Sequence, residues 1–242
     1  DRTLLLEGQR GDAQLSPDGR WLVWWDGAEL TWRSRDLLDG LPASIPLTAA
    51  IAHPVHDEDH DWPYEPQPYG IAGWTRAPEE GRPEGAADVE VVIYDRFDLW
   101  ALDPAGAAAP RELTWGAGRD DELRLRYVDL DPDDDWMEGE TLLLSGLDEV
   151  DKEAGFWRVE TFGNALPVEL MRSAKRFGRP QRAEEAELLA YTREDVTEFP
   201  DLWVASSDFS DARKVSDVNP QQADHRWATA ELTEWRSFDG EV

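Results

Sequence analysis

Three of the four histidines fall within one short run, His53-Pro54-Val55-His56-Asp57-Glu58-Asp59-His60-Asp61, among four acids. Imidazole and carboxylate are both zinc ligands, so the spacing H-x2-H-x3-H has to be weighed as a metal site. Pro54, Pro63, Pro66 and Pro68 surround the run, however, and rule out a helix that would put the rings on one face. The run reads as a solvated acidic connection, and neither a metal nor a cofactor is expected. Asp131-Pro132-Asp133-Asp134-Asp135 could coordinate Ca2+ through carboxylates, but it lacks the Gly and terminal Glu of an EF-hand loop and reads as a charged turn. Nucleophilic chemistry has no visible home. The chain has no cysteine and no G-x-S-x-G elbow. Ser206, Ser207 and Ser210 lie in a turn region with no base identifiable beside them, and His225 stands apart. Walker and dinucleotide fingerprints are absent. No catalytic residue is expected.

The elements that would position such groups repeat. Apolar runs at Trp21–Trp25, Val89–Tyr94, Thr141–Leu144 and Leu188–Tyr191 are short and rich in β-branched, aromatic and Leu residues, as buried strands are. A second strand follows each, centred on Trp32, Trp100, Trp157 or Trp203. A closing position comes 13 to 16 residues after each Trp, at Thr48, Thr114, Met171 and Ser216, and an apolar residue precedes it. A further strand comes before each apolar run. The clearest is Ala13-Gln14-Leu15-Ser16, ended by Pro17-Asp18-Gly19, where Pro presets φ and Gly tolerates positive φ. Four strands per unit of roughly 45 to 65 residues is the pattern of a β-propeller blade. The expected fold is all-β: a propeller of about four four-stranded blades, approximately 11–50, 68–116, 122–172 and 176–218, plus a leading strand at Thr3-Leu4-Leu5-Leu6. Such a set would be part of a seven- or eight-bladed ring. The Trp residues are read as packing between blades, and Arg76–Ala87 as an exposed hairpin loop.

Composition narrows the function classes. The formal charge of −29 argues against binding a nucleic-acid backbone or an anionic membrane. Basic residues are nearly all Arg, with lysines only at 152, 175 and 214. This fits either a high-salt setting or an ordinary acidic surface. No stretch is long and apolar enough to cross a bilayer, and no signal peptide is visible.

Several segments resemble one family. These are Tyr69-Gly70-Ile71-Ala72-Gly73-Trp74-Thr75, Val92–Pro104, Leu113-Thr114-Trp115-Gly116, Glu198–Val204 and Val215–Gln221. They are similar to the propeller of bacterial serine peptidases of the prolyl oligopeptidase family. The end, Glu231–Gly240, resembles the junction where that propeller passes into an α/β-hydrolase domain. The resemblance implies a partial propeller over 1–234 and the start of a linker at 235–242. It also implies a non-catalytic role: gating and orienting peptides for a Ser-Asp-His centre outside this chain. The partners would be a peptide substrate, further blades and the hydrolase domain, in a periplasmic or secreted bacterial protein. In some branches paired acids bind the substrate's amino terminus, and Asp57, Glu58 and Asp59 are the matching candidates here, since two carboxylates suit an ammonium group. The alternative is a stand-alone propeller that serves as a protein-binding scaffold.

Overall fold

The structure is a computed structural model that describes residues 4–9, 11–40, 42–78, 86–137, 139–233, 235–238 and 240. Its strands form four separate antiparallel meanders in chain order. The first comprises β1 (Ala13–Leu15), β2 (Trp21–Asp26), β3 (Thr31–Asp36) and β4 (Ile45–Pro46). The second is β5 (Ile71–Arg76), β6 (Val89–Tyr94), β7 (Leu99–Leu102) and β8 (Arg111–Glu112). A single-turn helix α1 (Ala117–Asp120) leads to β9 (Leu123–Tyr127), β10 (Thr141–Asp148), β11 (Ala154–Glu160) and β12 (Val168–Ser173). The last sheet holds β13 (Arg176–Phe177), β14 (Gln181–Arg182), β15 (Leu189–Asp195), β16 (Glu198–Ala205) and β17 (Arg213–Lys214). The all-β, four-blade expectation is met, with one refinement. The first strand of the fourth blade is split into β13 and β14, which pair with β15 at separate points. Gly178-Arg179-Pro180 lies at the break, and Pro180 has no N–H to donate to a ladder.

Strand periodicity explains the packing. Side chains alternate faces along a strand, so a sheet held between two others must be apolar on both. In β6, Val91 and Ile93 join a core with Trp21, Val23, Trp25 and Trp32 of the first blade, whereas Val92 joins a core with Leu125, Leu142 and Leu144 of the third. In β10, Leu142 and Leu144 face back to the second blade while Leu143 packs with Phe156, Leu189 and Tyr191. Three cores therefore cement four blades. Trp24 and Trp157 are buried, in keeping with a packing role. Trp100 is partly exposed and donates its indole N–H to Asp95 at 3.1 Å. Trp203, also partly exposed, lies under the Arg193 guanidinium, 3.6 Å from its ring centroid.

The closing positions have a mechanical role. The Thr114 hydroxyl oxygen accepts the Leu99 N–H at 3.1 Å and the hydroxyl bonds to Asp98. The Ser216 oxygen accepts the Leu202 N–H at 2.8 Å and its hydroxyl donates to Asp201 at 2.7 Å. Thr48 does the same for Trp32 at 3.3 Å, with Thr31 as the hydroxyl partner at 2.7 Å. The outermost segment of each of these blades is thus clasped to the strand inside it. The third blade has Met171 at this position, opposite Phe156, and Gly155 lies next along β11, opposite Arg172. A Cβ on Gly155 would lie 2.0 Å from the Met171 carbonyl oxygen, so backbone approach replaces the clasp.

Two expectations change. Leu4–Gln9 forms no strand; it is tethered by side chains instead, with Arg35 donating to the Leu5 carbonyl at 2.7 Å and Gln9 to the Trp25 carbonyl at 3.0 Å. Thr3 lies outside the described residues, as do 79–85 of the Arg76–Ala87 loop and residues 234, 239 and 241–242 of the tail. The described tail residues from Arg226 to Gly240 hold no helix or strand.

Candidate functional site

In an up-and-down sheet, the hairpins joining second to third strands and the connections between blades emerge at the same end. Here that end carries a chain of charges. Arg96, in the β6–β7 turn, contacts Asp59 at 3.0 Å and Glu149 of the β10–β11 turn at 2.8 Å. Arg119 of α1 meets Glu58 at 3.1 Å and Asp95 at 3.6 Å. Arg124 on β9 reaches Glu149 at 3.7 Å. The turns are built by carboxylates that accept backbone N–H groups. Asp95 takes those of Phe97 and Asp98, and Asp148 takes those of Val150 and Asp151.

Of the three candidate acids, Glu58 and Asp59 meet arginines of this face, and Asp57 lies beside His60. Glu58 is held by Arg119 and by the Tyr69 hydroxyl, which accepts its backbone N–H at 3.0 Å. Asp59 is largely exposed apart from Arg96, and Asp57 is half-exposed, 3.9 Å from His60. The histidines scatter. His60 bonds the Tyr64 carbonyl at 2.5 Å, and His56 packs against Trp25, where burial pushes its pKa down. Among the described residues no group of three His, Asp or Glu side chains is placed to hold a metal. Asp131 is used by Arg182 at 2.7 Å. Ser206 and Ser210 bond the carboxylates of Asp208 and Asp211, which fold their turn.

Beside the charged face lies a cavity of about 1450 Å3, walled mainly by the third and fourth blades, with Ala72 and Tyr94 of the second and Thr229 to Leu232 of the tail. The first strands of three blades line it: Ala72 of β5, Arg124 to Tyr127 of β9, and Arg176 and Phe177 of β13. Six basic side chains reach its wall, Arg124, Arg126, Lys152, Lys175, Arg176 and Arg179, against five acidic ones, Asp129, Asp151, Glu194, Asp195 and Glu231. The chain as a whole carries 24 basic and 53 acidic residues, so this wall is basic by comparison.

Most of these cations are already countered. Lys175 is held by Asp195 and Glu198, Arg176 by Glu194 at 2.8 Å, and Arg179 by Asp129 at 3.1 Å. Arg126 differs. Its guanidinium donates to the carbonyls of Leu125 at 2.6 Å and Arg96 at 3.1 Å, and its carbon lies 4.7 Å from the Tyr94 ring centroid. Among the described residues no carboxylate pairs with it. Burial pushes its pKa below the ordinary arginine value and Arg124 adds to the effect, while Tyr94 and the more distant Asp95 carboxylate oppose it. The Tyr94 oxygen accepts the Tyr127 N–H at 3.1 Å, which leaves its own proton free to donate. Burial keeps both phenols protonated, Tyr127 up to about 12. The sequence does not single out Arg126. Leu123-Arg124-Leu125-Arg126 alternates like any half-buried strand, and only the packing of neighbouring blades puts its polar face in the cavity wall.

No protein-family model matches the sequence, and no curated protein matches it. Solved structures do. A putative TolB from Agrobacterium tumefaciens aligns with a TM-score of 0.43 and 13% identity, over 86% of this chain and 61% of that one. Puromycin hydrolase aligns with a TM-score of 0.47 and 19% identity, over 86% of this chain and 32% of its own. The AtxE2 isopeptidase aligns with a TM-score of 0.31 and 12% identity, over 94% and 54%. The chain thus spans between 32% and 61% of the length of these structures.

Proposed function

We propose that this chain is the non-catalytic propeller portion of a serine peptidase of the prolyl oligopeptidase kind, and that it admits and orients extended peptides for a Ser-Asp-His hydrolase domain. The observation that carries the reading is the cavity between the third and fourth blades. Its roughly 1450 Å3 exceeds the usual ~300–1,000 Å3 of a small-molecule site. Taken as a sphere it would have a radius of about 7 Å, whereas a folded 100-residue domain has a radius of gyration of about 13 Å. A flexible peptide fits such a space and a folded protein does not. Tyrosine hydroxyls, arginines and apolar patches along the wall suit the mixed chemistry of a peptide. Asp57 and Asp59, at the neighbouring face, are the proposed contacts for a peptide amino terminus, while Glu58 fixes Arg96 and Arg119 around them.

The test is binding without turnover. A labelled extended peptide is titrated with the purified chain and followed by fluorescence anisotropy. Saturable binding, unaffected by a folded competitor and unaccompanied by cleavage, is the expected result. Cleavage by the chain itself would refute the non-catalytic assignment. Binding of a folded partner without any peptide binding would favour the scaffold reading instead.

A further inference from the structure

We infer that this cavity is a carboxylate-binding site in which the Arg126 guanidinium is the principal anchor and the Tyr94 hydroxyl a second donor. The inference deepens the peptide-gating reading and, for peptide ligands, rests on it. It adds a charge requirement: the preferred peptide carries a free carboxylate.

A guanidinium presents five N–H donors in a planar fork that matches a carboxylate in bidentate fashion. Arg126 spends two bonds on carbonyl oxygens, which are neutral acceptors and do not balance its charge. Every other basic side chain named in the cavity wall, apart from the exposed Lys152, sits within 4.0 Å of a carboxylate. Among the cations of this wall, Arg126 is the partly buried one that has no carboxylate within 4.0 Å among the described residues. Its ring partner Tyr94 and the backbone bonds to Leu125 and Arg96 fix the fork in place, so little side-chain entropy remains to be lost on binding. Nearby Tyr94 has a hydroxyl proton to give, since its oxygen is already an acceptor. A cation, an O–H donor and a concave wall around them make an anion site that is already formed.

The carboxylate has two sources in a peptide, the free carboxy terminus or an Asp or Glu side chain, and three ligands separate them. One short peptide is prepared acetylated and amidated with no charge, with a free carboxy terminus, and amidated with one internal Glu. We expect the free-terminus form to bind roughly 10- to 100-fold more tightly than the neutral form, as for a charge-assisted pair. A matching gain for the Glu form would assign any accessible carboxylate; a gain confined to the free terminus would assign the terminal one. Arg126→Met is expected to erase the preference, so that the charged and neutral forms bind that variant alike within about twofold. If that variant fails to fold, Arg126→Lys keeps the charge and loses the fork, and the preference should shrink severalfold. Equal binding of the three forms, or a preference that survives Arg126→Met or Arg126→Lys in full, would overturn the inference and leave peptide gating standing. If no form binds, peptide gating fails, and succinate serves as the probe. A rise in melting temperature with succinate, over sodium chloride of equal ionic strength and absent in the Arg126 variant, would uphold the carboxylate site. No rise would overturn it.

Discussion

Replacing Thr114 with Val removes one hydroxyl and keeps the side chain's shape. Thr114 is fully buried, and its oxygen is the acceptor for the Leu99 N–H at 3.1 Å. Without it, a buried backbone donor at the head of β7 loses that partner, which costs about 1–3 kcal/mol. The bond to Asp98 is lost as well. That carboxylate keeps the N–H groups of Gly118 and Arg119, both at 2.8 Å, so the second loss is about 1 kcal/mol. The sum is about 2–4 kcal/mol, or a fall in Tm of about 4–15 °C for a chain of this size. The same substitution at Thr48 breaks a clasp between two neutral hydroxyls and should cost about 1–2 kcal/mol. Ser216→Ala opens a clasp beside solvent, where water substitutes, and should cost under about 1 kcal/mol. Urea unfolding of the three variants, followed by tryptophan fluorescence, gives the order. If Thr114→Val lies within about 0.5 kcal/mol of the parent, or Ser216→Ala costs more than it, the clasp is not what closes these blades.

Gly155→Ala should destabilise by about 1–3 kcal/mol through overpacking, because the new methyl meets the Met171 carbonyl; unchanged urea unfolding would refute the close approach. The Lys175 hydrogen bond, more than any other cause, holds Asp195 down to about 2 in the folded chain against an ordinary 3.8. A lowered acid pKa contributes stability that is complete above about pH 5 and is lost as pH falls toward 2. Lys175→Met should therefore move the acid-unfolding midpoint upward, and an unchanged midpoint would remove this pair from the account. Asp57→Asn with Asp59→Asn should lower affinity for a free-amino peptide severalfold while leaving the acetylated peptide unaffected; equal loss for both would place the effect in folding and not in ammonium recognition.

Strand identity and blade repeat were legible because both are local. Near-continuous apolar runs in Trp21–Trp25 and Val89–Tyr94 declare strands buried on both faces, and Pro17-Asp18-Gly19 declares a turn, with Gly19 at φ +71°. The Trp positions and closing hydroxyls repeat because each blade solves the same packing problem. The split of β13 from β14 was signalled by Gly178 and Pro180 but hidden by the shortness of both pieces. The acidic run was legible as a solvated connection, whereas its pairing with Arg96 and Arg119 was not, since those arginines lie on other elements 37 or more residues away in sequence.

By itself, then, the sequence determined that this chain is built from four β meanders, each carrying tryptophans and three closed by a hydroxyl, because propensity, periodicity and turn chemistry act over a few residues. The tertiary structure decided which charges cancel and which do not. Arg124 and Arg126 occupy equivalent alternating positions on one strand, yet one reaches Glu149 and the other has no carboxylate among the described residues. Coulombic pairing depends on distances across blades, and these exist only once the blades have packed against one another.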